Sequence, residues 1–344
     1  MQMKYQKLGK TDLEASVVSF GGWGIGGGSV WSDKSVNVAD LEKLLDLAAE
    51  LGINYIDTAP VYGTGASEQL LGEALKKGRR SKFLLQTKCS LNWRNDGGNF
   101  HYERDGYTVN NDTSARAIRK DVEDSLIRMQ TDYIDVLVVH YVCKSWPVEE
   151  TMGALATAVQ SGKALYVGIS NYDGPHAAEA RKLAREIHLP LIINQNRYSI
   201  LDRTIEKNGL KDFAREEGMG VICFSPLAQG MLSEKYLKGI PSDSRIAKDG
   251  RFLHADDLKP EKMEGIRRLD EIAKRRGQTL PQMALAWDLR DPEITSVLIG
   301  ASKPQQILEN LGAIENISFS AEELREIDEI QASIAGELDA CRKV

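Results

Sequence analysis

The sequence has few of the residues from which disulfide frameworks and metal sites are built. It contains 4 cysteines and 5 histidines among 344 residues, and the cysteines lie far apart, without a C-x-x-C pair, at Cys89, Cys143, Cys223 and Cys341. Such spacing is typical of reduced thiols in a cytosolic protein and does not match a disulfide or zinc framework. The histidines show no metal-ligand spacing either. We therefore expect a cytoplasmic protein without a metal.

Long apolar runs and long basic runs are also lacking. No stretch of 18 apolar residues occurs, and the segment MQMKYQKLGK at the start has no apolar core of the kind found in signal peptides. The formal net charge is −6, and the densest basic cluster, KKGRR at 76–80, is short. Binding to nucleic acid needs an extended basic face. We expect no membrane and no nucleic-acid partner, and a small-molecule substrate instead.

The chain does contain a regular alternation of short apolar runs and longer helical patterns. This alternation is typical of βα units built on a parallel sheet. Because no break in composition divides the chain, we expect residues 1–344 to form a single α/β domain, a (β/α)8 barrel of the TIM type, rather than two Rossmann halves. The eight strand candidates are 17–20, 54–57, 83–88, 133–140, 165–170, 191–195, 220–224 and 296–299.

Three segments depart from this alternation. KYQKLGKTDLEASVV, before the first barrel strand, predicts an N-terminal β-hairpin that closes the bottom of the barrel. Residues 89–113 and 225–260 are long and mostly polar, and we expect them to form loops at the carboxyl-terminal face, where binding residues concentrate. GWGIGG at 22–27 matches a dinucleotide fingerprint, but polar residues follow where a helix would have to begin, so we discount it.

Polar residues end three consecutive strand candidates, namely Asp57, Lys88 and His140, and Tyr62 follows Asp57 by five positions. Each alone also fits a structural role, but strand ends of a barrel share one face, so their convergence favours catalysis. An ammonium beside a phenol lowers the phenol pKa from about 10. Asp57 would orient Lys88, and His140 would donate a hydrogen bond to a substrate carbonyl. The set predicts hydride transfer to a carbonyl.

The surroundings of these residues resemble the aldo-keto reductase family over nearly the whole chain. DTAPVYG holds Asp57 and Tyr62, LLQTKC holds Lys88, and DYIDVLVVHYV holds His140, at the positions of the four catalytic residues of the family. The resemblance implies NADPH or NADP+ as the cofactor. The cofactor-binding positions that it implies are Trp23, Asp57, Ser170, Asn171, Gln195, Phe224, Ser225, Pro226, Leu227, Gly230, Lys235, Arg245, Gly300, Ser302, Gln306, Glu309 and Asn310.

The resemblance also suggests where substrate binds, at Trp23, Tyr62, Trp93 and Tyr141. Relatives usually read HRPDPNTP where this chain reads HYVCKSWP at 140–147, so the substrate edge of the pocket differs. The N-terminal half is similar to bacterial stress-type reductases. The C-terminal half is similar to bacterial glyceraldehyde 3-phosphate and methylglyoxal reductases and to potassium-channel β subunits, and a homo-oligomer is compatible with this.

The expected activity is NADPH-dependent reduction of a small aldehyde, sugar aldehyde or sugar phosphate. Two alternatives stay open. One is NADP-linked oxidation of a sugar or polyol, since the same groups serve both directions. The other is a nucleotide-sensing binding protein that resembles the channel β subunits.

Overall fold

Eight parallel strands close into a barrel in the order of the sequence, as the alternation predicts. The computed structural model describes residues 2–25, 36–92, 101–104, 107–242, 244–248 and 253–335. The eighth strand pairs with the first, with Val297 opposite Val18, and this pairing closes the barrel. The barrel strands are β1 (Val18–Gly21), β2 (Tyr55–Asp57), β3 (Leu84–Cys89), β4 (Ile134–Val139), β5 (Ala164–Ser170), β6 (Leu191–Arg197), β7 (Gly220–Phe224) and β8 (Ile294–Ile299).

The strands are mostly apolar because both of their faces are buried. All six residues of β4 and all six of β8 are buried, as expected for parallel strands that helices cover on the outside. Inside the barrel, Tyr55, Val136, Ile193 and Ile222 pack together with Leu8. Leu8 belongs to the turn between two antiparallel strands, Tyr5–Lys7 and Glu14–Ser16. The predicted N-terminal hairpin is therefore confirmed, and it supplies an apolar plug for the barrel.

The helices that cover the barrel begin and end at recognisable signals. Asn37, Ser114 and Asp173 cap helices by accepting a backbone N–H, and Gly52 and Gly162 follow helix ends with positive φ. The helices are Val38–Glu50, Ala66–Ala74, Ala115–Met129, Val148–Gln160, Gly174–Glu186, Thr204–Lys207, Leu210–Glu217, Arg245–Lys248, Pro260–Arg275, Leu280–Leu289, Pro304–Leu311 and Ala321–Ala335. None of the helices in the described ranges is long and apolar enough to cross a membrane.

The two long intervals contain more structure than the loops expected there. The first carries a three-stranded antiparallel sheet of Leu91–Asn92, His101–Arg104 and Tyr107–Asn111. The three strands are only two, four and five residues long, too short for an alternation to stand out in the sequence. The loop interpretation of 89–113 was wrong in this respect. The second interval holds short 3₁₀ turns at Ala228–Gly230 and Glu234–Tyr236 and the four-residue helix Arg245–Lys248.

Candidate active site

The four predicted catalytic residues come together at the carboxyl-terminal mouth of the barrel. Asp57 is the last residue of β2, Lys88 lies near the end of β3, and His140 directly follows β4. Tyr62 begins the 3₁₀ turn that leads from β2 to the next helix. The carboxyl ends of neighbouring parallel strands lie side by side, which explains how residues far apart in sequence meet here.

The Lys88 ammonium is the centre of the cluster. Its Nζ donates to Asp57 Oδ1 at 2.5 Å, to the backbone oxygen of Thr58 at 3.0 Å and to the phenol oxygen of Tyr62 at 3.0 Å. The lysine is 1% exposed and the aspartate 2%. All three protons of the ammonium therefore have acceptors, which is what a buried cation needs.

A second, neutral set of groups holds Asp57 from the other side. Gln86 Nε2 donates to Asp57 Oδ1 and, at 2.6 Å, to Gln195 Oε1. Gln86 Oε1 accepts the phenol proton of Tyr55 at 2.5 Å. Gln86 was not among the predicted site residues. A signal for it existed, because Gln86 is a polar residue inside a buried strand, two positions before Lys88 and so on the same face.

Burial dominates the titration of this cluster. Removal from water raises the pKa of Asp57 and lowers that of Lys88, and each effect is opposed by the charge of the other residue. Burial, reinforced by the Asp57 carboxylate, raises the pKa of the Tyr62 phenol well above its ordinary value. The expected lowering of this pKa by Lys88 is thus outweighed in the free protein. Tyr62 stays protonated at neutral pH.

His140 is held as a neutral imidazole beside the phenol. Its pKa is well below the ordinary value because of burial and the nearby Lys88 charge. The ring lies edge-on to Tyr62 with centroids 6.1 Å apart and stacks on Tyr141 at 5.2 Å. Its Nδ1 is buried and has no hydrogen-bond partner among the described residues. A neutral imidazole carries one N–H, so His140 can donate a single hydrogen bond.

The segment after His140 divides between two surfaces. Tyr141 stays beside His140 and is 41% exposed. Cys143 and Trp146 instead line a separate cavity of about 290 Å³, together with residues of the helices Val148–Gln160 and Gly174–Glu186. Of the unusual stretch 140–147, Tyr141 is thus the aromatic residue placed at the catalytic face. Trp23 lies in the turn after β1, and Trp93 lies outside the described residues.

The residues expected around a nicotinamide carboxamide lie next to the catalytic cluster. Asn171 Nδ2 donates to the backbone oxygen of His140 at 3.0 Å and to Ser170 Oγ at 3.1 Å. Gln195 lies against Gln86, as described above. Asn171 and Ser225 adopt positive φ of 60° and 56°. Such strained backbone recurs at ligand sites, where surrounding structure enforces it.

The residues expected around the cofactor phosphates lie after β7 and β8. Left-handed backbone recurs in the segment 225–230, at Ser225, Ala228, Gln229 and Gly230. Beyond β8, Gln306 Oε1 accepts from the backbone N–H of Ser302 and Lys303 at the start of the helix Pro304–Leu311. The remaining predicted positions are Phe224, Pro226, Leu227, Lys235, Gly300, Glu309 and Asn310, all described, and Arg245, whose backbone begins a short helix.

Two other chemistries find no support in the described ranges. Burial raises the pKa of the Cys89 thiol well above its ordinary value, so the thiol beside Lys88 is not an activated nucleophile. No group of three or more His, Cys, Asp or Glu residues among the described ones is placed to hold a metal ion.

The barrel carries a buried acid–lysine–tyrosine cluster and a neutral histidine at its mouth. Such a site can polarise and protonate a carbonyl oxygen, which is the chemistry of carbonyl-reducing oxidoreductases. Comparison with known proteins specifies the family. The model of the Aldo/keto reductase family matches residues 17–332, and the chain belongs to that family. The resemblance seen in the sequence is thereby confirmed.

Curated relatives agree with this assignment. The chain is 38% identical over 338 residues to a protein named L-glyceraldehyde 3-phosphate reductase from Escherichia coli (strain K12), with 95% of this chain and 92% of that protein covered. The protein of the same name from Escherichia coli O157:H7 matches with the same identity and coverage. The chain is therefore an oxidoreductase of the aldo/keto reductase family, and carbonyl reduction is the activity that these similarities support.

Proposed function

We propose that the protein reduces the carbonyl group of a small aldehyde, sugar aldehyde or sugar phosphate with NADPH, and that Tyr62 is the proton donor. The observation that carries the proposal is the position of Lys88 Nζ, which lies 2.5 Å from Asp57 and 3.0 Å from the phenol oxygen of Tyr62. This contact is the one expected of an ammonium that supports proton loss from a phenol.

The chain's own groups have distinct roles in this proposal. Bound NADPH supplies the hydride. As the carbonyl oxygen gains negative charge, His140 donates a hydrogen bond to it and Tyr62 donates its proton. An alkoxide is far more basic than a phenolate, so a phenol with a raised pKa is still a competent acid. The tyrosinate that remains is stabilised by the Lys88 ammonium, and Asp57 keeps that ammonium charged and oriented.

The residues present fit a nicotinamide cofactor. Gln195 interacts with Asp57, and Asn171 bonds to Ser170 and to the backbone oxygen of His140, so these amide and hydroxyl groups border the catalytic cluster where a carboxamide would be recognised. At the other end, loops after the seventh and eighth strands and the N-terminus of a short helix are where barrel enzymes commonly hold phosphate. The N–H groups of Ser302 and Lys303, now bonded to Gln306, would suit a phosphate oxygen. Lys303 would supply positive charge for a 2′-phosphate, and we propose the same role for Arg245, whose side chain lies outside the described part of the structure.

The proposed substrate class comes from the relatives. A protein named L-glyceraldehyde 3-phosphate reductase is 38% identical to this chain, which favours a short sugar phosphate among the candidates. We further propose that the chain is a single barrel domain over 1–344, acts in the cytoplasm, works as a homo-oligomer and binds no nucleic acid. The net charge of −6 supports the last of these.

The decisive variant is Tyr62→Phe. We expect it to lower kcat for NADPH-linked reduction by about 10²- to 10⁴-fold, the usual contribution of a general acid, while NADPH binding is retained. Tyr133→Phe is the matched control, because Tyr133 lies against Arg80 outside the site and its loss should leave kcat unchanged. An unchanged rate in Tyr62→Phe, with the fold intact by circular dichroism, contradicts the mechanism.

The same assay separates the alternatives. Wild-type protein is tested with methylglyoxal, glyceraldehyde 3-phosphate, aromatic aldehydes and free sugars, with NADPH and NADH. Faster NADP+-linked oxidation of sugars than reduction of their carbonyl forms would favour the oxidative direction. Tight NADPH binding without turnover of any substrate would favour the nucleotide-sensing alternative and contradict the proposal.

A further inference from the structure

Gln86 lies at the junction between the proton-donating cluster and the residue expected to hold the nicotinamide carboxamide. It is fully buried in β3, and its amide contacts three side chains. The nitrogen Nε2 donates to Asp57 Oδ1 and to Gln195 Oε1, and the oxygen Oε1 accepts from the Tyr55 hydroxyl. Asp57, Gln86 and Gln195 come from three different strands, so the contacts cross the interior of the barrel mouth.

The chemistry of Asp57 and Tyr55, the partners on either side, fixes which way the Gln86 amide points. An ionised carboxylate only accepts hydrogen bonds, so the group that Gln86 turns toward Asp57 must be its NH₂. The carbonyl oxygen of Gln86 then faces Tyr55, which must act as a donor. Burial raises the pKa of the Tyr55 phenol well above its ordinary value, so this donor keeps its proton. The amide orientation follows from its partners and not from an arbitrary choice of nitrogen and oxygen.

The orientation of Gln86 sets that of Gln195 in turn. Gln86 Nε2 is a donor, so Gln195 must present its carbonyl oxygen to it, at 2.6 Å. The NH₂ of Gln195 is thereby turned away from Gln86. One of its protons interacts with Asp57, and this hydrogen bond opposes part of the rise that burial imposes on the pKa of Asp57. The second proton is left for another acceptor, and a carboxamide oxygen is the acceptor that suits it.

We propose that Gln86 is a positioning residue that locks Gln195 as a hydrogen-bond donor toward the carboxamide oxygen of the nicotinamide, with Tyr55 fixing Gln86 from behind. The inference rests on the proposed function in that it requires a nicotinamide cofactor. It goes further because it assigns two buried residues, Tyr55 and Gln86, to recognition of the nicotinamide end alone. Gln86 acts through Gln195 and does not contact the cofactor.

The test compares two ligands that differ in the nicotinamide. Binding of NADPH and of 2′-phospho-ADP-ribose, which keeps the phosphates and adenosine but lacks the nicotinamide, is measured by titration calorimetry. In Gln86→Met, Gln195 loses the partner that orients it. We expect Kd for NADPH to rise about 3- to 10-fold, the effect of one lost hydrogen bond, while Kd for 2′-phospho-ADP-ribose changes less than about 2-fold. Tyr55→Phe should shift Kd for NADPH in the same direction.

The matched control is Gln278→Met. Gln278 is another buried glutamine, whose amide oxygen accepts from Arg276 and whose nitrogen donates to the backbone oxygen of Asn316, away from the site. It should lower stability without changing either Kd. If Gln86→Met changes Kd equally for both ligands, or leaves Kd for NADPH unchanged, the inference is overturned while the proposed function stands. Failure of the wild-type protein to bind NADPH overturns both.

Discussion

The buried pair of Asp57 and Lys88 makes a quantitative prediction about stability and activity together. The Lys88 side chain is 1% exposed and the Asp57 side chain 3%, so neither charge is solvated by bulk water. Lys88→Met removes the ammonium and leaves the carboxylate with the amides of Gln86 and Gln195 but no counter-charge. Breaking a buried pair in this way costs about 3–5 kcal/mol, a large part of the roughly 5–15 kcal/mol by which proteins are stable.

The double variant Asp57→Asn/Lys88→Met separates the charge from the packing. With both charges gone, the asparagine can still accept a hydrogen bond from Gln86. We expect the loss of stability to shrink to less than about 2 kcal/mol, because neutral replacements of buried pairs are tolerated. Activity should not return, since Tyr62 still lacks the ammonium. Recovered stability with lost activity is the signature that the pair serves proton transfer rather than folding.

The assays are urea unfolding at pH 7 and kcat for NADPH-linked reduction. The control is Lys43→Met, which removes the lysine of an exposed pair with Asp40 and should change neither quantity measurably. The destabilisation by Lys88→Met should also shrink in acid, because protonation of Asp57 removes the unpaired charge. A loss below about 1 kcal/mol in Lys88→Met, or a double variant no more stable than the single one, refutes the reasoning.

Two further predictions concern pH. Because burial keeps Tyr62 protonated and His140 neutral, kcat for reduction should be flat between about pH 6 and 9; a Tyr62-dependent fall centred near pH 7 would contradict this. Asp288 is fully buried, neither carboxylate oxygen has a partner among the described residues, and its pKa is raised well above the ordinary value by burial. The folded protein then binds more protons than the unfolded chain above about pH 4, so its free energy of unfolding falls as pH rises, by up to about 1.4 kcal/mol per unit. Asp288→Asn should therefore stabilise the protein in urea at pH 7 and not at pH 3.5, and equal effects at both pH values would refute this.

The barrel architecture can be predicted from the sequence because the patterns that mark its strands and helix ends are local. Runs such as Ile134–Val139 are apolar except for Asp135, which is typical of strands buried on both faces, and glycines follow the helix ends at Gly52 and Gly162. The candidate catalytic residues could also be identified from the sequence alone, since a charged or polar residue that ends an apolar run stands out without knowledge of its neighbours. The sheet within 89–113 was missed because its strands are only two, four and five residues long, too short for an alternation to stand out.

The sequence by itself thus determined the barrel, the hairpin below it and the four residues at its mouth, all through patterns along the chain. Only the tertiary structure decided which groups meet across the mouth, as with Gln86 and Gln195, which are 109 positions apart. It also decided the direction in which the pKa of Tyr62 moves. The sequence predicts a neighbouring lysine, but the free energy of removing a phenolate from water depends on how completely the surrounding barrel encloses it.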